Sequence, residues 1–488
     1  MRTLESKNEF DVLIVGAGLS GVGAAVHLQQ RCPERRFAIL EGRAVSGGTW
    51  DLFRYPGVRS DSDMYTLGYA FKPWLAAQSI ADGPAILSYI REAATEHGLD
   101  AHIRYQHKVV NAAWSSEDAR WTVDILQGPD ATPLQMRCQF LLMCSGYYRY
   151  DLGYLPAFEG MADFKGQIVH PQHWTPEVQW ASKRVVLIGS GATAVTLLPA
   201  LAQTAAHVTL LQRSPTYMVT RPAIDAVALW LNRYLPAKAA YAITRWKNVL
   251  MGLFFYRLAK AKPEGFARTL IDGVQQQLPL GYDVKTHFTP HYKPWDQRLC
   301  LVPHGDLFRS IRENNASVVT DHIERFTANG ILLKSGQELP ADLIVTATGL
   351  DLQALGGMTV VVDGTPIQPK ACVGYKGMML SGVPNLANVF GYTNASWTLK
   401  SDLTSRYVCR LLNHLAATGA RHCTPTLTDT SVTPTPWVDF SSGYIQRSLD
   451  RFPQQGNKAP WRLHQNYLLD VFSLKFGRLD DGALVFGR

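Results

Sequence analysis

Charged residues are scarce in this 488-residue chain, at 18%, against 46% hydrophobic. That balance excludes an intrinsically disordered chain. Cysteine is sparse as well. Cys32, Cys138, Cys144, Cys300, Cys372, Cys409 and Cys423 are scattered, odd in number and without a CxxC pair. A disulfide framework, a zinc ribbon and a dithiol reductase centre are thereby excluded, and a reducing cytoplasm is the expected home. No long apolar run is present: residues 249–255 fall far short of the ~20 that a membrane span needs. The apolar residues 12–15 are broken off by glycine and are expected to form a strand, not a signal segment. There is no metal-ligand spacing and no RNA-type motif of interleaved aromatic and basic residues, so no metal and no nucleic-acid partner are expected.

A chain of this length predicts two or three domains. Lys plus Arg exceed Asp plus Glu by 8 (48 against 40), a mild excess suited to an anionic nucleotide or an anionic membrane surface.

What is present is a pair of dinucleotide-binding fingerprints with opposite ends. Residues 11–15 read as a buried strand running into Gly16, Gly18, Ser20 and Gly21, then a helix, then a strand at 37–40 that stops at Glu41. Residues 184–188 repeat the pattern into Gly189, Ser190, Gly191, Ala192, Thr193, Ala194 and Val195. Its second strand, 208–211, leads to Gln212, Arg213 and Ser214. In each copy the first glycine makes the turn, the second lets backbone approach a pyrophosphate, and Gly21 or Ala194 lets helix pack on strand. A carboxylate at the end of the unit accepts hydrogen bonds from a ribose 2′-OH, whereas an arginine there pairs with a 2′-phosphate. The first site is therefore expected to take FAD or NAD, and the second NADP.

The fold class that follows is α/β, with two dinucleotide-binding (Rossmann-like) domains, the NADP domain inserted in the FAD domain, and a helical insertion. The expected boundaries are 1–147 (FAD domain, first part), 148–221 (NADP domain, first part) and 222–290 (helical insertion). Residues 291–334 return to the NADP domain, and 335–488 to the FAD domain with the C-terminal region. The strand-and-turn at 343–349 resembles the one at 140–146 and is expected to mark the return to the FAD domain. Residues 226–234, 239–261 and 266–277 read as helices. Seven cations, Arg233 to Lys262, outnumber Asp225 and Glu264 there. The insertion is either a lid over the substrate entrance that touches a membrane peripherally, or a packed element with a solvated basic face.

Between the two fingerprints, Phe164, Gly166, His170 and Trp174 fit the pattern FxGxxxHxxxW. With the stretch Gly47-Gly48-Thr49-Trp50-Asp51 through Asp61, and Trp295-Asp296-Gln297-Arg298, the chain resembles type I Baeyer–Villiger monooxygenases, a class of flavoprotein monooxygenases. It is most similar to the branch that oxidises thioamide prodrugs. The resemblance implies FAD and NADPH as cofactors and oxygen as co-substrate. A C4a-peroxyflavin would convert ketones to esters or lactones, or oxygenate sulfur. It implies that Arg298 stabilises negative charge near the flavin and that Asp61 orients it. His170 is then a coupling or structural residue of the linker, with Phe164, Gly166 and Trp174 as packing around it. Thr49, Trp50, Asp51, Leu52, Asp61 and Val109 would complete the FAD site, and Arg59, Ser60 and Asp61 would face the nicotinamide. Residues 394–400 would start a helix aimed at the flavin. Gln297 stands where many members carry a lysine, so NADPH preference is expected to rest on Arg213. A sulfur- or nitrogen-oxygenating enzyme of the same architecture and a non-catalytic flavin sensor remain alternatives.

Overall fold

The computed structural model describes residues 8–438 and 440–488. Two sheets organise it. In the first, the strand Glu9–Val15 runs parallel to Phe37–Leu40 on one side and to the C-terminal half of Thr132–Met143 on the other. Ile103–Arg104 extends the sheet beyond Phe37–Leu40. Arg120–Gln127 and His107–Ser115 extend it antiparallel from the far side, and Thr359–Val362 and Leu386–Asn388 join from late in the chain. Val12, Leu13 and Ile14 are fully buried because both faces of this sheet are covered, which is why the strand is a continuous apolar run. Each such aliphatic side chain contributes about 1.5–3 kcal/mol by burial.

The second sheet is wholly parallel, in the order Ala316–Thr320, His207–Gln212, Arg184–Ile188, Leu343–Thr346, Gln167–Val169. This corrects one expectation. Leu343–Thr346 pairs with Arg184–Ile188 and so belongs to the second sheet, not to the return into the first. The second unit therefore extends past residue 334. The two strand-and-turn stretches look alike because both close a parallel sheet beside a glycine turn, and local pattern does not say which sheet. Gln167–Val169, inside the FxGxxxHxxxW stretch, is the sheet's edge strand.

The chain crosses between the sheets twice, and the crossings pair with each other: Tyr148–Gly153 lies antiparallel to Leu350–Leu352.

The helical insertion comprises Ala226–Tyr234, Ala237–Ala261 and Pro263–Gln275, with a short turn Val284–Phe288. Asp225 caps the first helix by accepting from the Ala228 N–H. Arg245, buried in the second helix, donates to the carbonyls of Tyr65 and Gly68 at 2.8 and 2.7 Å. With the Tyr241 hydroxyl donating to the Tyr69 carbonyl and Asn248 to Asp63, that guanidinium ties the insertion to the segment that follows Asp61.

Candidate active site

The first glycine turn opens into a cavity of about 440 Å³. Gly16 sits at φ +105°, and a Cβ there would stand 2.6 Å from the Cys144 carbonyl oxygen, so the turn demands glycine. A Cβ on Gly21 would lie 1.8 Å from the Gly16 carbonyl oxygen, which makes Gly21 a packing residue outside the cavity lining. Gly18 and Gly48 face each other across the cradle, a Cβ on Gly18 coming to 3.3 Å from the Gly48 Cα. Thr49 and Trp50, at the start of the short helix Thr49–Leu52, line the same flank. Ser20 lines it too, and its Oγ accepts from Trp397 Nε1 at 2.8 Å.

Glu41 and Val109 line the cavity. Glu41 Oε2 accepts from the Ala17 N–H at 2.8 Å and Oε1 from the Arg43 N–H at 2.9 Å. Burial raises its pKa, and the two backbone donors act in the opposite direction. The fixed carboxylate retains lone pairs for a ribose diol. A cradle that a Cβ would fill, a buried carboxylate and the N-termini of Leu19–Arg31 and Trp397–Thr418 at the lining together fit a flavin dinucleotide.

Asp61 and Arg298 also line this cavity, and Arg298 Nη1 donates to Asp61 Oδ2 at 2.6 Å. Burial opposes the Arg298 charge, but Asp61 and the tyrosines 147, 444 and 148 outweigh it and hold the pKa well above the ordinary value. The guanidinium is therefore a permanent cation. Next to Arg298 is a small recess walled by Phe390, Val438, Phe440, Tyr444 and Ile445. It shares Tyr147, Tyr392 and Trp397 with the main cavity.

At the second glycine turn, Gly189 has φ +134° and a Cβ there would meet the Ala347 carbonyl oxygen at 2.4 Å. Gly191 differs: a Cβ there meets nothing within 4 Å. Open space thus lies over the second glycine, as a pyrophosphate requires. Ser190, Gly191, Ala192 and Thr193 are at least partly accessible, and Arg213 and Ser214 are exposed at the end of His207–Gln212. Ala194 and Val195 are fully buried among Leu187, Leu197 and Leu210. They pack the helix on the sheet and do not face a ligand.

His170 lies outside the cavity. Its Nδ1 accepts from the Gln172 N–H at 3.2 Å, which leaves Nε2 to donate to the Gly349 carbonyl at 3.2 Å. Burial lowers its pKa, the Gly349 contact raises it, and His173 lowers it further. A Cβ on Gly153 would collide with the ring. His170 is thus wedged between the two crossing strands. Phe164 packs with Phe326 and Ile344, and Trp174 with Trp180. Gly166 is required because a Cβ would meet the Asp342 carbonyl oxygen at 2.5 Å.

Beyond Gly21, Ala194 and Val195, four more expected cofactor residues stand elsewhere. Asp51 is buried and held by Arg43, Arg54 and Arg91 at 2.6, 3.1 and 2.9 Å, so its carboxylate is spent on structure. Leu52, at the end of its helix, does not reach the lining. Arg59 forms an ion pair with Asp306, and Ser60 is buried with its Oγ donating to the Ser62 carbonyl. Of residues 394–400, Ala395 and Trp397 line the cavity, whereas Lys400 is buried against Asp470 at 2.8 Å.

Tyr147, Tyr392 and Arg447 carry no site role in the sequence reading, although Tyr392 lies in the stretch 391–400 of the family resemblance. Tyr147 stacks on Trp397 at 5.2 Å, closing the cavity beside Arg298. Its position just after the turn at 145–146 was the available signal. Arg447 lies over the Tyr154 ring at 3.4 Å. Its pKa is lowered by burial, countered by Tyr154 and Asp351, and lowered further by the nearby Arg213 charge. No local pattern marks it.

A flavin-binding monooxygenase-like family profile matches residues 80–230, and an NAD(P)-binding Rossmann-like profile residues 14–74. The chain is 55% identical to the FAD-containing monooxygenase EthA of Mycobacterium tuberculosis, over 98% of each chain. It is 45% identical to the probable FAD-binding monooxygenase AlmA of Acinetobacter baylyi, over 99% of this chain and 97% of that one. Among solved structures, an oxidised steroid monooxygenase bound to NADP superposes with a TM-score of 0.76 at 22% identity, covering 98% of this chain and 100% of the other. A cyclohexanone monooxygenase from Rhodococcus bound to NADP+ gives 0.72 at 19% identity, covering 86% and 87%. At these identities the structural likeness speaks to the fold.

Proposed function

Because the chain belongs to the FAD-containing, flavin-binding monooxygenases, we propose that it uses NADPH and molecular oxygen to convert ketones to esters or lactones. Thioethers and thioamides are its second substrate class, a reading supported by the resemblance to the thioamide-oxidising branch. The observation that carries the proposal is the Asp61–Arg298 pair at 2.6 Å on the wall of the glycine-cradled cavity. FAD, when bound, supplies the redox chemistry that activates oxygen. The family membership argues against a sensor without turnover.

The chain's own residues have separable tasks. Gly16, Gly18 and Gly48 admit the dinucleotide backbone, and Glu41 holds its ribose. Arg298 offers a fixed positive charge where negative charge develops on oxygen atoms, and needs no reorganisation to do so. Asp61 is a positioning residue that holds the guanidinium's rotamer. Phe390, Phe440 and Tyr444 keep water from the recess beside Arg298. Gly189 to Thr193 hold the NADPH pyrophosphate, and Arg213 its 2′-phosphate, with Arg447 as a second cation. His170 couples the units by bridging their two crossing strands. In this proposal residues 1–147 and those following about 350 form the flavin unit, and the intervening chain forms the NADPH unit with its helical insertion. Membrane contact is peripheral and made by that insertion; among the described residues no helix is long and apolar enough to cross a bilayer.

The test offers a linear ketone, a cyclic ketone and a thioether with NADPH under ¹⁸O₂. One labelled oxygen atom in an ester or lactone is the expected result. Label in the sulfoxide alone would assign the chain to sulfur oxygenation, and NADPH oxidation without labelled product would overturn both.

A further inference from the structure

Residues 226–262 contain no Asp or Glu, yet hold seven Lys and Arg. Three of those cations are engaged inward: Arg245 on backbone carbonyls, Lys247 on Asp225 and Lys260 on Asp296. The remaining four, Arg233, Lys238, Arg257 and Lys262, are exposed and have no ion pair among the described residues. The helix Ala237–Ala261 buries one face and carries large apolar side chains on the opposite one. Tyr241, Thr244, Arg245 and Val249 are buried against the body of the protein. Ile243, Trp246, Leu250 and Phe254 recur at helical spacing on the outer face and are exposed.

Neighbouring elements carry further exposed aromatics. Trp230 is 59% exposed on the preceding helix, and Phe254 is 61% exposed. Trp246 lies 5.7 Å from the Tyr467 ring, and the segment that follows Tyr467 projects Phe472 and Phe476, 66% and 64% exposed, with Lys475 beside Phe476. Large aromatics are costly to leave in water when they cluster, and contiguous exposed apolar patches mark contact surfaces. The exposed cations Arg233, Lys238, Arg257 and Lys262 stand on the helices Ala226–Tyr234 and Ala237–Ala261 or at their ends, and no Asp or Glu occurs between residues 226 and 262. That combination, an apolar face with aromatics and exposed cations, belongs to elements that lie in the interface plane of an anionic bilayer.

We infer that the outer face of Ala237–Ala261, with Trp230 and the segment carrying Phe472 and Phe476, docks this protein on an anionic lipid surface. This rests on the proposed peripheral contact of the insertion and is independent of the oxygenation chemistry. The aromatic side chains enter the headgroup boundary while the exposed cations of the insertion meet lipid phosphate and carboxylate, Arg257 most directly because it shares the stripe of Leu250 and Phe254. Each basic residue close to such a surface raises binding by about fivefold, less at high salt.

The experiment is flotation of the FAD-loaded protein with two kinds of vesicle: phosphatidylcholine alone, and phosphatidylcholine containing phosphatidylserine. Wild type should float with the anionic vesicles, weakly with the neutral ones, and less as salt is raised. The triple variant Trp230→Ser/Phe254→Ser/Phe472→Ser should lose at least about tenfold of that binding, while keeping its flavin absorbance and its NADPH oxidation rate with a water-soluble thioether. Should that variant lose its flavin, the quadruple variant Arg233→Glu/Lys238→Glu/Arg257→Glu/Lys262→Glu, altered only at exposed positions, should keep flavin and lose the anionic preference. Three results would overturn the inference: wild type that does not float, variants that float like wild type, or a wild-type dimer in light scattering that the triple variant converts to monomer. The last would show that a second copy covers the patch. A protein that floats but fails the ¹⁸O₂ test would remove the proposed chemistry and leave the surface standing.

Discussion

Asp61 and Arg298 lie 237 residues apart in the chain and meet at 2.6 Å, one from the loop after Gly47 and Gly48, the other from the segment that follows the helical insertion. The cavity wall is therefore completed only when these two distant segments have folded together. Arg298→Ala should leave FAD binding and anaerobic reduction by NADPH intact, because hydride transfer needs only stacking. Removal of one charge stabiliser typically costs a factor of about 10²–10³. Oxygenated product per NADPH should fall accordingly, with hydrogen peroxide released instead. Asp61→Asn should give a milder form of the same defect. Normal product yield in Arg298→Ala would move the charge to another group.

The glycine turns invite a paired test. Gly16→Ala places a Cβ 2.6 Å from a backbone carbonyl at positive φ, so the variant should be colourless or unstable. Gly191→Ala places its Cβ in open space at φ −80°. Its melting temperature should match wild type while the KM for NADPH rises. A Gly191→Ala variant that melts early would show a packing role there.

Nucleotide preference should follow Arg213. A charge-assisted pair to phosphate is worth about 1.5–3 kcal/mol, or roughly 10–150-fold in affinity. Arg213→Ala should raise the KM for NADPH and leave NADH nearly unchanged. Because Gln297 adds no cation, the effect should lie toward the lower end unless Arg447 contributes, which Arg447→Ala reports in the same assay. Equal losses with both cofactors would make Arg213 structural.

His170 should act on stability through pH. Its folded pKa lies below the ordinary imidazole value, burial being the main cause. The unfolded chain therefore binds more protons near that value. The stability His170 contributes is present above about pH 6.5 and is lost as pH falls through the folded pKa. His170→Gln should flatten the fall of melting temperature between neutral and mildly acidic pH. The flattening is partial, because burial lowers His287 and His422 in the same direction. An unchanged slope would remove His170 from the titration.

Local sequence determined the parts whose geometry is local. A strand, a glycine turn and a helix follow from a run of about 30 residues, so both fingerprints, Glu41 at one end and Arg213 at the other were legible. So were the insertion's helices, observed at Ala226–Tyr234, Ala237–Ala261 and Pro263–Gln275. Tertiary structure decided what depends on meeting. Leu343–Thr346 has the pattern of any sheet-closing strand, and only pairing with Arg184–Ile188 assigns it to the second sheet. Asp51 reads as a cofactor ligand beside Thr49 and Trp50, but three arginines, one of them 40 residues away, neutralise it inside the fold. Trp397 reaches Ser20 across 377 residues, and Trp246 reaches Tyr467 across the molecule. Hydrogen bonds within a turn are set by neighbours in the chain. The partner of a buried charge or an indole is set by desolvation, which no residue undergoes until the sheets and helices have closed around it.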